Sequence, residues 1–277
     1  MFRYRGIEIK TPAQIQTMRA AGLVVGETLQ LLRAAARPGV TTGDLDRIAE
    51  ENIRSAGAKP SFLGYGHPPF PASICVSVND EVVHGIPGDR VLAEGDVVSI
   101  DCGAIVDGWH GDAALTVAVA EPSVEALELM RVTEESLWRG IAAAALGGHV
   151  GDISSAVEGY VASQGTFGIV EDYTGHGIGS AMHQPPNVPN RGRAGKGPRL
   201  VEGLALAVEP MVVAGDQSTH LLDDDWTVAT DDGSLAAHFE HTFTLTPNGA
   251  WVLTALDGGH ARLAELGVPF GGPDGNF

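Results

Sequence analysis

Residues 39–57 read GVTTGDLDRIAEENIRSAG, and residues 147–165 read GGHVGDISSAVEGYVASQG. Set one above the other at an offset of 108, they align without a gap. Gly39, Gly43, Asp44, Glu50, Ser55 and Gly57 fall on Gly147, Gly151, Asp152, Glu158, Ser163 and Gly165. Downstream, EGDVVSID (94–101) meets EGLALAVE (202–209) at the same offset. A register held over this span marks an internal duplication rather than a chance likeness between two capped helices. Each copy reads as two helices plus a β-hairpin. The expected fold class is therefore α+β, with halves of about 1–120 and 121–250 and a tail over 251–277.

The helices follow from local chemistry. Thr11-Pro12-Ala13-Gln14 offers an N-cap, a proline at the first helical position and a capping-box glutamine. Ile15, Met18, Gly22, Val25, Leu29 and Leu32 then recur at helical spacing until Arg37-Pro38-Gly39 stops them. A second helix spans Thr42 to Ser55, with Leu45, Ile48, Ala49 and Ile53 inward. In the second copy Ser123 caps a helix carrying Val124, Leu127, Met130, Leu137 and Ile141, which Gly147-Gly148 ends. Asp152 is expected to cap the fourth, which Gly165 ends.

Composition narrows the function. The formal net charge of -18 disfavours phosphate backbones and anionic lipid as partners. Cys75 and Cys102 form no C-x-x-C motif and read as reduced, buried thiols. The N-terminus MFRYRGIEIK has no apolar signal core, and no apolar run reaches membrane-spanning length. A cytoplasmic protein that binds neither nucleic acid nor membrane is expected.

Each copy supplies two carboxylates. Asp101 ends the apolar run VVSID; Gly103, Asp107 and Gly108 signal a turn; Asp112 opens ALTVAV. A separation of 11 residues across such a turn suits two antiparallel strands with neighbouring carboxylates. In the second copy Glu209 ends LALAVE and Glu240 lies in HFEHTFTLT, 31 residues on. Carboxylates held close together raise one another's pKa or take a cation between them. With His176, in the glycine-rich YTGHGIG, they form an oxygen and nitrogen set suited to divalent ions. Spacing alone leaves the ordinary readings open too: a strand-end Asp as a turn former, a buried His as a core residue.

The segments NDEVVHGIP (79–87), SIDCG (99–103), HGDAALT (110–116), YTGHGIG (173–179), MHQPPNVPN (182–190), AVEPM (207–211) and FEHTFTLT (239–246) resemble those of the type I methionine aminopeptidases, in order and spacing, across about residues 5–250. That resemblance implies the pita-bread (creatinase/aminopeptidase-like) fold, here as a single catalytic domain. It implies removal of the N-terminal methionine from nascent polypeptides, with a small second residue preferred. It makes Asp101, Asp112, His176, Glu209 and Glu240 the ligands of two divalent metal ions. Asp101 and Asp112 would serve one ion, His176 and Glu209 the other, and Asp112 and Glu240 would bridge. Co, Mn, Fe and Zn all suit such ligands. A hydroxide held between the ions would attack the first peptide carbonyl. His183 would stabilise the oxyanion, Glu209 would carry the proton to the leaving amine, and His84 would contact the leaving-side nitrogen. Tyr65, Phe70, Cys75, Met182 and Trp226 would line the methionine pocket. A monomer is the default expectation, with the ribosome exit region as a further expected partner.

Some positions depart from the family pattern. LGYGHPPFPASIC (63–75) is two residues longer than the common bacterial form, around His67; Met182 stands where an aromatic is usual; Gln184 replaces a Glu; Ala113 and Ala114 replace hydroxyl residues. None removes a ligand. The nearest rival, an aminopeptidase P or prolidase, is expected to carry a further N-terminal domain and lacks the EHTFTLT signature. A catalytically dead binding protein of the same fold is expected to have lost ligands, and all five stand here.

Overall fold

The computed structural model describes residues 6–273. The opening of the first half and the last residues of the tail, Asp274–Phe277, lie outside the described residues.

The first copy comprises α1 (Pro12–Ala35), α2 (Thr42–Ser55), β1 (Lys59–Pro60), β2 (Ile74–Val78), β3 (Glu81–Val83), β4 (Val97–Val106) and β5 (Trp109–Ala118). The second comprises α3 (Val124–Ala143), α4 (Val150–Gln164), β6 (Gly168–Ile169), β7 (Gly175–Gly177), β8 (Gln184–Val188), β9 (Ala205–Val208), β10 (Met211–Val213), β11 (Thr219–Leu221), β12 (Val228–Thr230), β13 (Ala236–His238), β14 (Glu240–Thr246) and β15 (Gly249–Val252), followed by α5 (His260–Glu265). A central antiparallel sheet runs β1-β4-β5-β14-β9-β7-β8, with β2 added on β4 and β15 on β14. The copies meet at its middle, where β5 pairs β14.

The duplication is written into the backbone hydrogen bonds. Gly39 N donates to Leu92 O, and Gly147 N to Leu200 O; Thr42 N donates to Arg90 O, and Val150 N to Pro198 O. The isolated bridges Thr41–Val91 and His149–Arg199 repeat the same shift of 108. Gly39 and Gly147 both hold positive φ, 90° and 85°, a conformation that side chains with a Cβ resist.

Capping chemistry sets the helix starts. Gln14 Oε1 accepts from Thr11 N at 2.8 Å, completing the box at α1. Thr41 and Asp44 do the same at α2. At α4 the expected cap is displaced: His149 is the N-cap, and Asp152 sits three places on, its carboxylate accepting from His149 N at 2.7 Å. Asp152 thus plays the part of Asp44, as the offset requires. α3 ends at Ala143, short of Gly147-Gly148, because Ala144 turns to extended backbone.

The helices bury one stripe each against the sheet. Leu29, Leu32, Leu45 and Ile53 pack on Ile74, Ile100 and Cys102; Leu137, Ile141, Ile153 and Val157 pack on Leu206, Val208 and Phe243. Each fully buried aliphatic side chain contributes roughly 1.5–3 kcal/mol. Gly22 of α1 admits close approach to the strand end: a Cβ there would lie 2.2 Å from Leu253 O. The tail packs against the second copy. Leu263 of α5 is fully buried, and Gly271 N donates to Ala250 O, so the described part is docked. Both cysteines are free and buried. Among the described residues no helix is long and apolar enough to cross a membrane.

Candidate metal centre

Strand register gathers the acidic groups on one face. Val106 pairs Trp109, so Asp107 and Gly108, both at positive φ, form the two-residue turn of the β4–β5 hairpin. Gly103 lies inside β4 instead of in that turn; a Cβ there would strike Ser61 and Phe62 at 2.8 Å. Asp101 pairs Cys75 on one side and Ala114 on the other, and Ala114 pairs Glu240. Directly opposed residues share a face, so these four form one row across the sheet. Ala114 contributes only a methyl group to it. Asp112, two places before Ala114, shares the face by the period of a strand. His241 pairs Val208, and one step further sets Glu209 across from Glu240. His176 pairs Ala207, two places before Glu209. The sheet alone therefore assembles Asp101, Asp112, His176, Glu209 and Glu240.

Distances agree. Asp112, His176 and Glu240 present ligand atoms within 4.8 Å of one another. His176 Nε2 lies 3.4 Å from Glu209 Oε1. Its Nδ1 donates to Gly177 O at 3.0 Å, which leaves the Nε2 lone pair for the site. Asn190 steadies Glu209 by donating to its carbonyl at 3.0 Å.

Burial makes this cluster costly without a cation. Asp101 Oδ1, Asp112 Oδ1 and Glu240 Oε1 are buried with no hydrogen-bond partner. Burial pushes the Asp101 carboxyl up to about 7. Burial and then the neighbouring carboxylates hold Asp112, Glu209 and Glu240 well above the usual range. The imidazoles move the other way: burial lowers His84 to about 4, His176 to about 3, and His183 below its ordinary value. Neutral imidazoles beside oxygen atoms that lack partners fit divalent metal ions, which supply the missing charge and coordination.

A cavity of about 120 Å3 opens onto these groups, lined also by His84, His183, Tyr65, Phe70, Cys75, Met182 and Trp226. Phe70, Cys75 and Met182 are buried, Trp226 packs edge-on to Phe70 at 5.1 Å, and Tyr65 stands at the rim, 40% exposed. The Tyr65 hydroxyl lies 2.6 Å from His183 Nδ1. His84 holds positive φ (61°) and meets the Tyr173 ring edge-on at 5.4 Å. A larger groove of about 520 Å3 lies elsewhere and holds no group of metal-ligating side chains found among the described residues, so chemistry and not volume selects the site.

Two residues escaped the sequence reading. Phe62 lines the same cavity. His238 lies 3.9 Å from Glu209 and 4.0 Å from Glu240, and forms a second group with them. Its place two residues before Glu240 was the available signal.

The sequence profile of metallopeptidase family M24 matches residues 16–247. A methionine aminopeptidase of Clostridium acetobutylicum is 54% identical over 252 residues, covering 91% of this chain and all of that protein. The crystal structure of a methionine aminopeptidase from Thermotoga maritima superposes with a TM-score of 0.87 at 43% identity, covering 90% of this chain and 99% of the other. A prolidase from Pyrococcus furiosus, at 22% identity and a TM-score of 0.71, shares the fold. This chain accordingly belongs to metallopeptidase family M24 and, within it, to the methionine aminopeptidases.

Proposed function

We propose that this chain removes the N-terminal methionine from nascent polypeptides, favouring a small second residue, with two divalent ions held by Asp101, Asp112, His176, Glu209 and Glu240. The observation that carries this reading is the single sheet face on which register gathers five ligand side chains, beside a small apolar cavity. Ions of Co, Mn, Fe or Zn bound there would supply Lewis acidity and a water of lowered pKa. Asp112 and Glu240 are the bridging ligands in this reading. The whole chain, residues 1–277, acts as one catalytic unit, since the sheet is continuous through the β5–β14 pair.

The geometry supports the remaining roles of this reading. The Tyr65 phenol, kept protonated by burial and by Asp112, donates to His183 Nδ1. That fixes the proton of His183 on Nε2, where it donates to the carbonyl oxygen as charge develops. Glu209, buried among carboxylates, moves a proton toward the leaving amine. His84, on a strained backbone, contacts the leaving-side nitrogen. Cys75, Phe70, Met182 and Trp226, with Tyr65 at the mouth, take the thioether side chain, which favours aromatic and sulfur neighbours. Two buried free thiols fit a cytoplasmic monomer that meets nascent chains near the ribosome exit region.

The test is mass spectrometry of peptides incubated with metal-loaded protein. Release of methionine from Met-Gly-Met, with Xaa-Pro peptides untouched, is expected. Cleavage of Xaa-Pro instead would assign the prolidase chemistry, and no release from either would leave a binding protein.

A further inference from the structure

Residues 7–10 precede α1 and so belong to the first copy, yet they pack on the second: Ile7 touches the second core, and Lys10 N donates to Gly203 O at 2.8 Å. From this strap the Glu8 carboxylate reaches the turn between β7 and β8. It accepts from Ser180 N at 3.0 Å, from Ser180 Oγ at 2.6 Å and from Gln184 Nε2 at 2.9 Å. Lys10 lies against it with a side chain only 1% exposed, its Nζ 3.6 Å from Glu8 Oε2. The same Nζ donates to Glu8 O at 3.1 Å and to Gln184 Oε1 at 3.4 Å. Gly179 leaves the room for this arrangement, since a Cβ there would strike Glu8 Oε2 and Lys10 Cε. Burial opposes the charge on Glu8, but the hydrogen bonds from Ser180 and Gln184 and the Lys10 ammonium outweigh it and hold the carboxyl down at about 2. An ionised acceptor makes each of these hydrogen bonds stronger than a neutral one would.

Between the two clamped residues stand Met182, buried in the wall of the methionine cavity, and His183, which meets the Tyr65 hydroxyl at 2.6 Å. His183 is exposed on one side, so packing alone does not fix its ring. We infer that Glu8 is a positioning residue for His183: its carboxylate, seated on the buried Lys10, clamps both ends of the Ser180–Gln184 turn and so sets where the His183 ring meets the scissile carbonyl. The inference rests on the proposed oxyanion role of His183 and deepens it. The identity of residue 184 follows from the same clamp. A carboxylate 2.9 Å from Glu8 would repel it, whereas the Gln184 amide donates to Glu8 and accepts from Lys10. The competing role is structural: a strap that only ties the first copy to the second.

Steady-state kinetics and amide hydrogen exchange on the full chain separate these roles. Glu8→Ala should lower kcat about tenfold and change KM less, since a displaced donor costs most where charge develops. In a His183→Ala background the same change should cost less than about twofold, because the group it positions is gone. Exchange at the amides of Ser180–Gln184 should quicken about tenfold or more in Glu8→Ala, with protection in α1–α4 and bound metal unchanged. An equal loss of kcat in both backgrounds overturns the inference and leaves the structural role. Should Glu8→Ala not fold, Ser180→Ala removes two of the strap's contacts to one: its hydroxyl is lost at an exposed position and its amide stays. It is read by the same cycle, with an expected loss of about threefold. Exchange needs no turnover, so the two proposals fail separately. Methionine left on its peptide by the unaltered protein overturns the proposed reaction, and an unchanged turn in Glu8→Ala overturns the clamp.

Discussion

Asp101 and Asp112 sit on the same face of the β4–β5 hairpin, two positions out of register, because Asp101 pairs Ala114 while Asp112 pairs Gly103. They lie close enough for protonated Asp112 to donate to Asp101; Asp112 is buried and Asp101 half-buried. Such a pair is stable when it holds a proton or a cation, and strained when both groups are ionised.

The pH dependence of the metal-free protein follows. The folded-state pKa of Asp101 is raised from 3.8 to about 7, and those of Asp112, Glu209 and Glu240 are raised as well. Groups raised on folding stabilise the fold below their unfolded pKa, and that contribution is lost as pH climbs through the folded value. Thermal melts after chelation should therefore fall as pH rises above about 7, where the imidazoles held low by burial are neutral in folded and unfolded chain alike, and added metal should restore the Tm at pH 8 while releasing protons. A melt that rises with pH over this window in the chelated protein would contradict the placement of these groups.

His183→Ala should lower kcat by about 10^2–10^3, the usual effect of losing one donor to a developing oxyanion. Bound metal should be unchanged, because His183 belongs to neither ligand group. Tyr65→Phe removes the donor to His183 Nδ1 and should cost about 1 kcal/mol of transition-state stabilisation, near fivefold in kcat/KM. Steady-state kinetics with metal content measured on the same samples checks both.

Gly66 controls the wall of the methionine cavity. It holds φ +75°, and a Cβ there would lie 2.5 Å from Trp226 Cη2. Gly66→Ala should displace the Trp226 ring, raise KM for methionyl peptides and destabilise the fold by ~1–3 kcal/mol. An unchanged KM would show that Trp226 does not shape the pocket.

Gly22→Ala tests the packing of the first copy. The added methyl would meet Leu253 O at 2.2 Å, and Gly111 of β5 lies against the same point of α1. A helix normally gains ~1 kcal/mol from this change, but backbone cannot yield as a side chain does. Urea denaturation should show a net loss of about 2 kcal/mol or more, with the metal site intact in the folded fraction.

Much of this was legible in the chain, for physical reasons that differ by residue. Thr11 and Ser123 announce their helices because caps act over three or four residues. The repeat exposed the relation of Asp101 to Glu209 because both copies keep one hydrogen-bond plan. Asp152 was misplaced since a box carboxylate and a cap carboxylate look alike in sequence; only the likeness to Asp44 separates them. His238 was overlooked because HFEH reads as an ordinary strand, and its nearness to Glu209 depends on the bend between β13 and β14, set by pairing with β10. The docking of α5 depends on Leu263 finding the second core, a contact that Gly- and Pro-rich flanks conceal.

Anomalous diffraction from crystals of the metal-loaded protein tests the central claim most directly. Two peaks about 3.5–4 Å apart, both within bonding distance of Glu240, are predicted. A lone peak, or density remote from Asp101, Asp112, His176 and Glu209, would contradict it.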